Sequence, residues 1–449
     1  MNKNRIDVKR LPKDPGPAAW NNIIPEEPSH PELMNTVYAD WVVVGGGFAG
    51  ISAARRLSQL SGSDDIVLLE AKRFAEGPAG RNSGFMIDLP HELNSKSYAG
   101  AQDQDIRQIQ LNRAAIQFAK EMAEEYGMQK QVFNPCGKVT AACSAKGIAH
   151  IDSYRKHLDQ LGERYELRNK EELKAWTGSD LYDHGFFTPG AAMIQPAAYV
   201  RQAARGLSER VQVYENSPVT AIEKGSPHTV ITPNGRIKAK GVILAVNGHI
   251  QSFGYFPRRL LHVFTYASMT RALTPEESRS LGGVPDWGLL PADPMGTTVR
   301  RCSDFRGSGD RIVVRNHATL NQSIEASDGG MRRAAALQDR SFANRFPTLA
   351  GVEMEYRWGG RLCLSWNSAP AFGRLEDGIW SACCQNGLGT VKGTLSGMMA
   401  AELAVLGDSQ MLREFMLHQQ PRLLPPEPFL SIGANLTMLA KEWQAGIEL

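Results

Sequence analysis

The residues best placed to do chemistry are glycines. Gly45-x-Gly47-x-x-Gly50 follows the apolar run Trp41-Val42-Val43-Val44 and opens a stretch, Ile51 to Leu60, with Ile51, Ala54 and Leu57 on one helical face. The next apolar run, Ile66 to Leu69, ends on an acid, Glu70. Strand, glycine turn, helix, second strand and terminal acid together form a dinucleotide-binding fingerprint. Each residue type has a reason. Gly45 makes the tight turn, Gly47 admits backbone close to a pyrophosphate, and Gly50 lets the helix pack on the strand. The helix start, through Phe48 and Ala49, points free N–H groups and a positive dipole end at phosphate. Glu70, followed by Ala71, is placed to accept hydrogen bonds from ribose hydroxyls.

A second cluster separates the possible dinucleotides. Gly77-Pro78-Ala79-Gly80-Arg81-Asn82-Ser83-Gly84-Phe85 is a small-residue turn that can lay backbone amides along an extended diphosphate and flavin. A nicotinamide domain has no use for it, so FAD is the expected cofactor. Arg81 could cap charge there, with Asn82 and Ser83 offering hydrogen bonds. Taken alone, Arg81 also suits a surface loop. A third cluster, Asn386-Gly387-Leu388-Gly389, precedes a helix from about Thr390 to Leu406. It reads either as a second anion site at a helix start or as a plain strand-to-helix corner.

Acid–base machinery is sparse. No Ser/His/Asp arrangement or paired-carboxylate motif stands in context. The six cysteines contain no C-x-x-C and no zinc spacing, so no metal is expected. The adjacent Cys383 and Cys384 read as buried small residues. Trp366 and Trp358 could wall an amine pocket, or be core. Phe85 and Met86 could line it; His91 reads as structural.

These residues need elements to hold them. Asp105 to Tyr126 reads as an amphipathic helix and Lys138 to Cys143 as a strand. Ala197 to Arg210 reads as a helix, and Val211 to Val213 as a strand. Thr229 to Thr232 and Ile237 to Lys240 form a hairpin about Asn234-Gly235, followed by a separate buried strand from Gly241 to Val246. Residues 255 to 365 are β-rich. Gly378 to Ala382 reads as a strand, and a last helix covers about Ala434 to Ala445. The expected fold is α/β. A discontinuous FAD lobe takes residues 39–100, 190–250 and 355–410. A substrate lobe of mixed sheet and helices takes 101–189 and 251–354. A Pro-rich arm, 1–38, wraps the body, and 411–449 form a C-terminal loop and helix.

Bulk properties narrow the class. The chain has 449 residues, 42% hydrophobic and 22% charged, with a net charge of +3 and no like-charge block, which argues against a nucleic-acid partner. Scattered thiols and an N-terminus without an apolar core point to a reduced, cytoplasmic protein. No apolar run reaches the roughly 18–20 residues of a membrane span.

From about Ala39 to Gly407 the chain resembles the D-amino-acid-oxidase-like family of FAD enzymes. The carriers are VVVGGGFAG (42–50), Glu70, GPAGRNSGF (77–85), GAAMIQPAAYVRQAA (190–204), NSPVTAI (216–222), GVILAVNGH (241–249), WGGRLCLSWNSAPAFG (358–373) and NGLGTVKGTLSG (386–397). The RNSG string and the tail after Pro425 look closest to the γ-glutamylputrescine oxidase branch. The resemblance implies that Val219 touches adenine through its backbone. It puts Asn247-Gly248 near the diphosphate and Gly387, Leu388, Gly389 and Thr390 at the flavin N1–C2=O edge. Fixed N–H dipoles there would favour the reduced, anionic ring.

The implied reaction is oxidation of a C–N bond in a small amine or γ-glutamylated amine. Hydride passes to flavin N5, the imine is hydrolysed, and O2 or another acceptor takes the electrons. An N-methyl or cyclic amino-acid oxidase or dehydrogenase is the second reading. A flavin-binding subunit with little activity of its own is the third. His317 sits where the sarcosine-oxidase branch places a substrate-side histidine, and an ordinary strand-end histidine is the alternative. Cys363 aligns roughly with a cysteine that some relatives bond to flavin. Its flanks differ, so noncovalent FAD is expected. Val313 stands where relatives carry an oxygen-activating lysine, and Lys392 reads as a helix-start lysine. Arg301, Arg315 and Arg361 are candidates to clamp a substrate carboxylate. The sequence names no oligomeric state.

Overall fold

A computed structural model describes residues 4–90 and 101–449. His91 lies outside the described residues. Among the described residues the chain builds two large sheets, of nine and eight strands. The first is centred on Thr36–Val44, paired in parallel with Ile66–Leu69 on one side and Arg236–Leu244 on the other. Gln212–Tyr214 extends it beyond Ile66–Leu69, and Ile379–Cys383 also runs parallel to Arg236–Leu244. All four residues of Ile66–Leu69 are buried, which is why the run is unbroken by polar residues. Helices Phe48–Leu60 and Gly389–Val405 cover this sheet and pack closely on each other. Their approach is set at Gly397, where a Cβ would lie 2.0 Å from the Ala49 carbonyl oxygen.

Arg236–Leu244 corrects one expectation. The hairpin arm and the following buried strand are a single strand of nine residues. Its first half pairs antiparallel with His228–Ile231, while its full length runs beside Thr36–Val44. Lys240 and Gly241 mark a change from half-exposed to buried, which in sequence looks like a break.

The second sheet runs Met354–Leu364, Leu261–Thr270, Asp310–Leu320, Thr298–Ser303, Trp287–Pro291, Lys138–Ala142, His184–Thr188, Glu166–Asn169. It is mixed, with one parallel pairing between Trp287–Pro291 and Lys138–Ala142. Two lobe boundaries shift. Met354–Leu364 falls in the stretch assigned to the FAD lobe but is an edge strand of this second sheet. Helix Gln102–Glu125 falls in the stretch assigned to the substrate lobe, yet Leu111, Ala115, Phe118 and Met122 join the core beneath Phe48–Leu60 and Gly389–Val405. Periodicity reports that a helix has a buried face and says nothing of which lobe buries it.

The N-terminal arm is extended and firmly held. Arg5–Asp7 adds antiparallel to Ala221–Glu223. Ala18, Ala19, Trp20, Ile23 and Ile24 are buried in the main core. The final helix, Phe429–Ala445, starts before the expected Ala434, taking in Gly433 and beginning directly after Pro428. A helix-interior glycine costs only about 1 kcal/mol, and Pro428 precedes the first turn, where proline is tolerated. Helix Gln410–Met416 was not foreseen. No helix among the described residues is long and apolar enough to cross a membrane.

Candidate functional site: a dinucleotide cleft closed by the N-terminal arm

The strand Thr36–Val44 ends at Gly45, whose N–H donates to the Leu69 carbonyl at 2.8 Å and whose φ is +107°. A Cβ on Gly45 would stand 2.6 Å from the Ala245 oxygen, and one on Gly50 would stand 1.7 Å from the Gly45 oxygen. Both positions exclude any side chain. Gly47 is different: a Cβ there would meet only Ala79 Cβ, at 3.6 Å, and Gly47 borders open cleft. No side chain caps the helix that starts after Gly47, so its first N–H groups are left for a ligand. The late helix Gly389–Val405 likewise lacks a side-chain cap.

Between these two helix starts lies a cleft, open to solvent, that both of them border. Gly45, Gly47, Phe48, Ala49, Glu70 and Ala71 line it, together with Val219. Asn82, Asn247, Gly248, Gly387 and Gly389 line it as well. Asn247 adopts φ +47°, and its Oδ1 accepts from the Cys384 and Gln385 N–H groups at 3.2 and 3.4 Å. The Glu70 carboxylate accepts from the Gly46 and Lys72 N–H groups, at 2.8 and 3.0 Å. Burial pushes its pKa up to about 7.

Other expected site residues stand behind the wall. Gly50 packs against Gly45. Ser83 uses its carbonyl to accept from Arg300, at 3.2 Å. Gly84 donates its N–H to Asn82 Oδ1 at 2.8 Å. Leu388 packs among apolar residues near Phe85. Thr390 donates its hydroxyl to the Phe85 carbonyl at 2.5 Å, tying the late helix to the 77–85 turn. Arg81 corrects an expectation outright. Its guanidinium donates to four carbonyls, those of Glu76, Pro15, Gly359 and Gly16, at 2.7, 3.0, 3.1 and 2.5 Å. It fastens the arm to the body with four of its five N–H donors and does not line the cleft.

The two residues expected over the flavin are also corrected. His317 is the extra residue of a β-bulge: Thr265 pairs with Ala318 and Tyr266 with Asn316. With φ at +59°, its ring stacks on Tyr266 and pairs through Nδ1 with Glu442 of the C-terminal helix. It does not line the cleft. A bulge re-aims a side chain in a way that alternation cannot forecast. Trp366 is 61% exposed, in a turn, and does not line the cleft. Trp358 is core, edge-on to Trp20 and donating its indole N–H to the Arg81 carbonyl at 3.0 Å. Phe85 and Met86 are buried in apolar packing rather than lining the cleft. Val313 is buried core, and Arg301 is held by Asp310 and the Gly282 carbonyl. Cys363, Cys383 and Cys384 are all buried, and Cys363 borders the cleft.

Sequence reasoning missed the cleft's other wall. Val8, Arg10, Leu11 and Pro12 of the arm line it. The arm is stitched down by Val8 N–H to the Thr220 carbonyl and Lys9 N–H to the Ser252 carbonyl, at 2.9 and 3.0 Å. Arg361, His249 and His262 line the cleft too. Arg361 is clamped by Asp14 through Nε and Nη2 at 2.9 and 3.1 Å, and its Nη1 contacts His249. His262 bonds Gln251 at 2.7 Å. Burial, then the neighbouring Arg361, holds His249 down to about 3 and His262 to about 4, so both rings are neutral at pH 7. His249 closes the GVILAVNGH string and could have been flagged there. Asp14 had no local signal at all.

The comparisons follow from this geometry. The family described as DAO, FAD dependent oxidoreductase, matches residues 40–403. A probable oxidoreductase OrdL of Haemophilus influenzae is 26% identical over 396 residues, covering 86% of this chain and 87% of that one. Gamma-glutamylputrescine oxidoreductase of Escherichia coli is 25% identical over 398 residues, covering 85% and 87%. Among solved structures, glycine oxidase from Geobacillus kaustophilus superposes with a TM-score of 0.67 at 17% identity, covering 83% of this chain and 96% of that one. The amino acid oxidase NikD superposes with a TM-score of 0.66 at 16% identity, covering 87% and 100%. The uncapped helix starts, the side-chain-free approach at Gly47 and the long cleft between them fit an extended dinucleotide, and the chain belongs to the FAD-dependent oxidoreductase family, with FAD as its cofactor.

Proposed function

We propose that the protein oxidises a C–N bond of a small amine or γ-glutamylated amine in the cytoplasm, passing the electrons on to O2. Bound FAD supplies the acceptor for the two electrons and the hydrogen leaving carbon. The chain holds FAD noncovalently, through the Gly45–Gly50 loop, Glu70, Val219, Asn247-Gly248 and the Gly387–Gly389 turn. The remaining residues bind and orient the amine and keep water from the reacting bond. The resulting imine takes up water to give a carbonyl compound and a free amine.

The observation that carries the choice of amine is the Asp14–Arg361 pair. Arg361 lines the cleft, but a carboxylate already satisfies its fork. The neutral His249 and His262 beside it add no positive charge against a cationic amine. Similarity to gamma-glutamylputrescine oxidoreductase supports the same reading, and six free cysteines support a reducing compartment.

A second reading has its own support. Arg361 is placed for a substrate carboxylate if that group displaces Asp14, and the fold neighbours include an L-proline dehydrogenase from P. horikoshii. Anaerobic titration of the purified yellow protein decides between them. Bleaching by diamines or γ-glutamylated amines, with none by N-methyl or cyclic amino acids, supports the first reading; the reverse overturns it. Peroxide released in air tests O2 as acceptor.

A further inference from the structure

We propose that the outer face of the C-terminal helix is a homodimer interface, at which two copies of this chain pair antiparallel about Leu436. It is independent of the proposed reaction.

The helix Phe429–Ala445 is fixed to the body by few points. Leu430, Glu442 and Ala445 are its buried residues. Glu442 pairs with His317 and with Arg333, the latter at 2.9 Å. Just beyond the helix, Glu448 accepts from the Cys143 and Ser144 N–H groups at 2.9 and 3.0 Å. The opposite face is bare and apolar. Phe429, Ile432, Leu436, Leu439 and Trp443 are 70%, 55%, 62%, 47% and 84% exposed. Their spacing alternates three and four residues, the period of a two-helix seam. A globular surface has no cause to hold five large apolar side chains in that register in water.

Three features choose a second copy as the occupant. First, the stripe is self-complementary. Phe429 and Trp443 lie seven residues either side of Leu436, and Ile432 and Leu439 lie four and three either side. An antiparallel dyad through Leu436 sets Leu436 on its own copy, Phe429 on the partner's Trp443 and Ile432 on the partner's Leu439. That is the pattern an isologous contact requires. Second, the seam carries no charge, and the exposed polar residues beside it are Asn435, Thr437 and Gln444. A two-fold axis brings each residue near its own copy, so a charged seam would repel itself; this one does not. The cations packed against this helix are already paired, Arg333 with Glu442 and Lys146 with Asp293, which leaves a membrane surface little electrostatic partner, because surface-lying helices carry cations on the polar face. Lys441 is the one cation of this helix.

Third, the area suffices. Two aromatic side chains that bury 150–250 Å² each when covered supply roughly 300 Å² at this exposure. The three aliphatic ones bring the seam to roughly 550 Å² per copy, about two-thirds of the ~800 Å² per partner of a standard interface. Ile447, 52% exposed just past the helix, and the polar flanks supply the rest.

The test is the molecular mass of the FAD-loaded protein by sedimentation across a micromolar concentration series. The expected result is twice the chain mass of 49.3 kDa. Leu436→Glu and Trp443→Glu should each raise the dimer dissociation constant ~30-fold or more, as central seam residues do. Both should leave the visible spectrum unchanged, because neither residue touches the cleft. Register is read separately: Leu436→Cys should form an intermolecular disulfide on mild oxidation, and Gln444→Cys should not. A wild-type monomer throughout overturns the proposal. So does a dimer untouched by both glutamate variants, failure of Leu436→Cys to cross-link, or a monomer that sediments with anionic phospholipid vesicles through this helix.

Discussion

Asp14→Asn removes one charge from a buried pair and leaves its partner. The Arg361 side chain is 8% exposed and that of Asp14 1%, with two nitrogens of the guanidinium on the two carboxylate oxygens. Breaking a buried pair from one side costs about 3–5 kcal/mol. Arg361 also borders the cleft, where water can reach it, so about 2–3 kcal/mol is the expected figure. The cost falls on the arm, since Arg81 still holds Pro15 and Gly16 while residues 8–14 lose their anchor. At 1.4 kcal/mol per decade the open arm becomes roughly 30- to 150-fold more populated. Hydrogen exchange reads this directly: the Val8 and Lys9 amides, bonded to Thr220 and Ser252, should lose protection by that factor. FAD should also dissociate faster, because the arm lines its cleft. Asp14→Asn combined with Arg361→Gln should restore much of the protection, since no unpaired charge remains. Unchanged exchange at Val8 and Lys9 in the single variant, or strict additivity in the double, would refute the assignment of the arm's closure to this pair.

Acid should destabilise the protein through two imidazoles. His249 and His262 titrate near 3 and 4 in the fold against 6.5 unfolded, so the unfolded chain takes up protons first. Stability is then lost as pH falls below 6.5, by about 2 kcal/mol per ring at pH 5, and His249→Gln should remove one share from a urea series at pH 7.5 and 5. Glu70, raised to about 7 by burial, must give up its proton to accept ribose hydroxyls. FAD affinity should therefore fall as pH drops below 7, approaching ~10-fold per unit, and Glu70→Gln should flatten the slope measured by fluorescence titration. Gly47→Leu should fold with native circular dichroism yet purify colourless, since its side chain meets only Ala79 and the cleft. Gly50→Ala should instead lower the melting temperature, because its Cβ has to displace the Gly45 carbonyl.

What was legible in the sequence was what backbone geometry demands. Gly45 and Gly50 are glycines because a carbonyl stands where their Cβ would be, and that requirement is local to one turn. Ile66–Leu69 could be placed to the residue because a strand buried on both faces admits no polar interruption. The parts that stayed hidden depend on partners far along the chain. Asp14 and Arg361 are 347 residues apart, and neither has a neighbour that announces the pair. His317 occupies the stretch of strand where a relative's histidine would reach the substrate. One inserted residue in the ladder turns it toward Glu442 instead. Arg81 looked like a cofactor ligand because it sits inside a small-residue turn, and only the fold reveals that four carbonyls, two of them from the arm, take four of its five donors. The arm itself reads as a polar, Pro-rich tail. Yet Trp20 gives its indole N–H to the Asn82 carbonyl, and the Trp20 carbonyl takes a bond from Gln195. The segment that composition marks as peripheral therefore braces the 77–85 turn from outside and lines the cleft from within. FAD binding and arm docking should accordingly be coupled in both directions, each making the other tighter by the same factor.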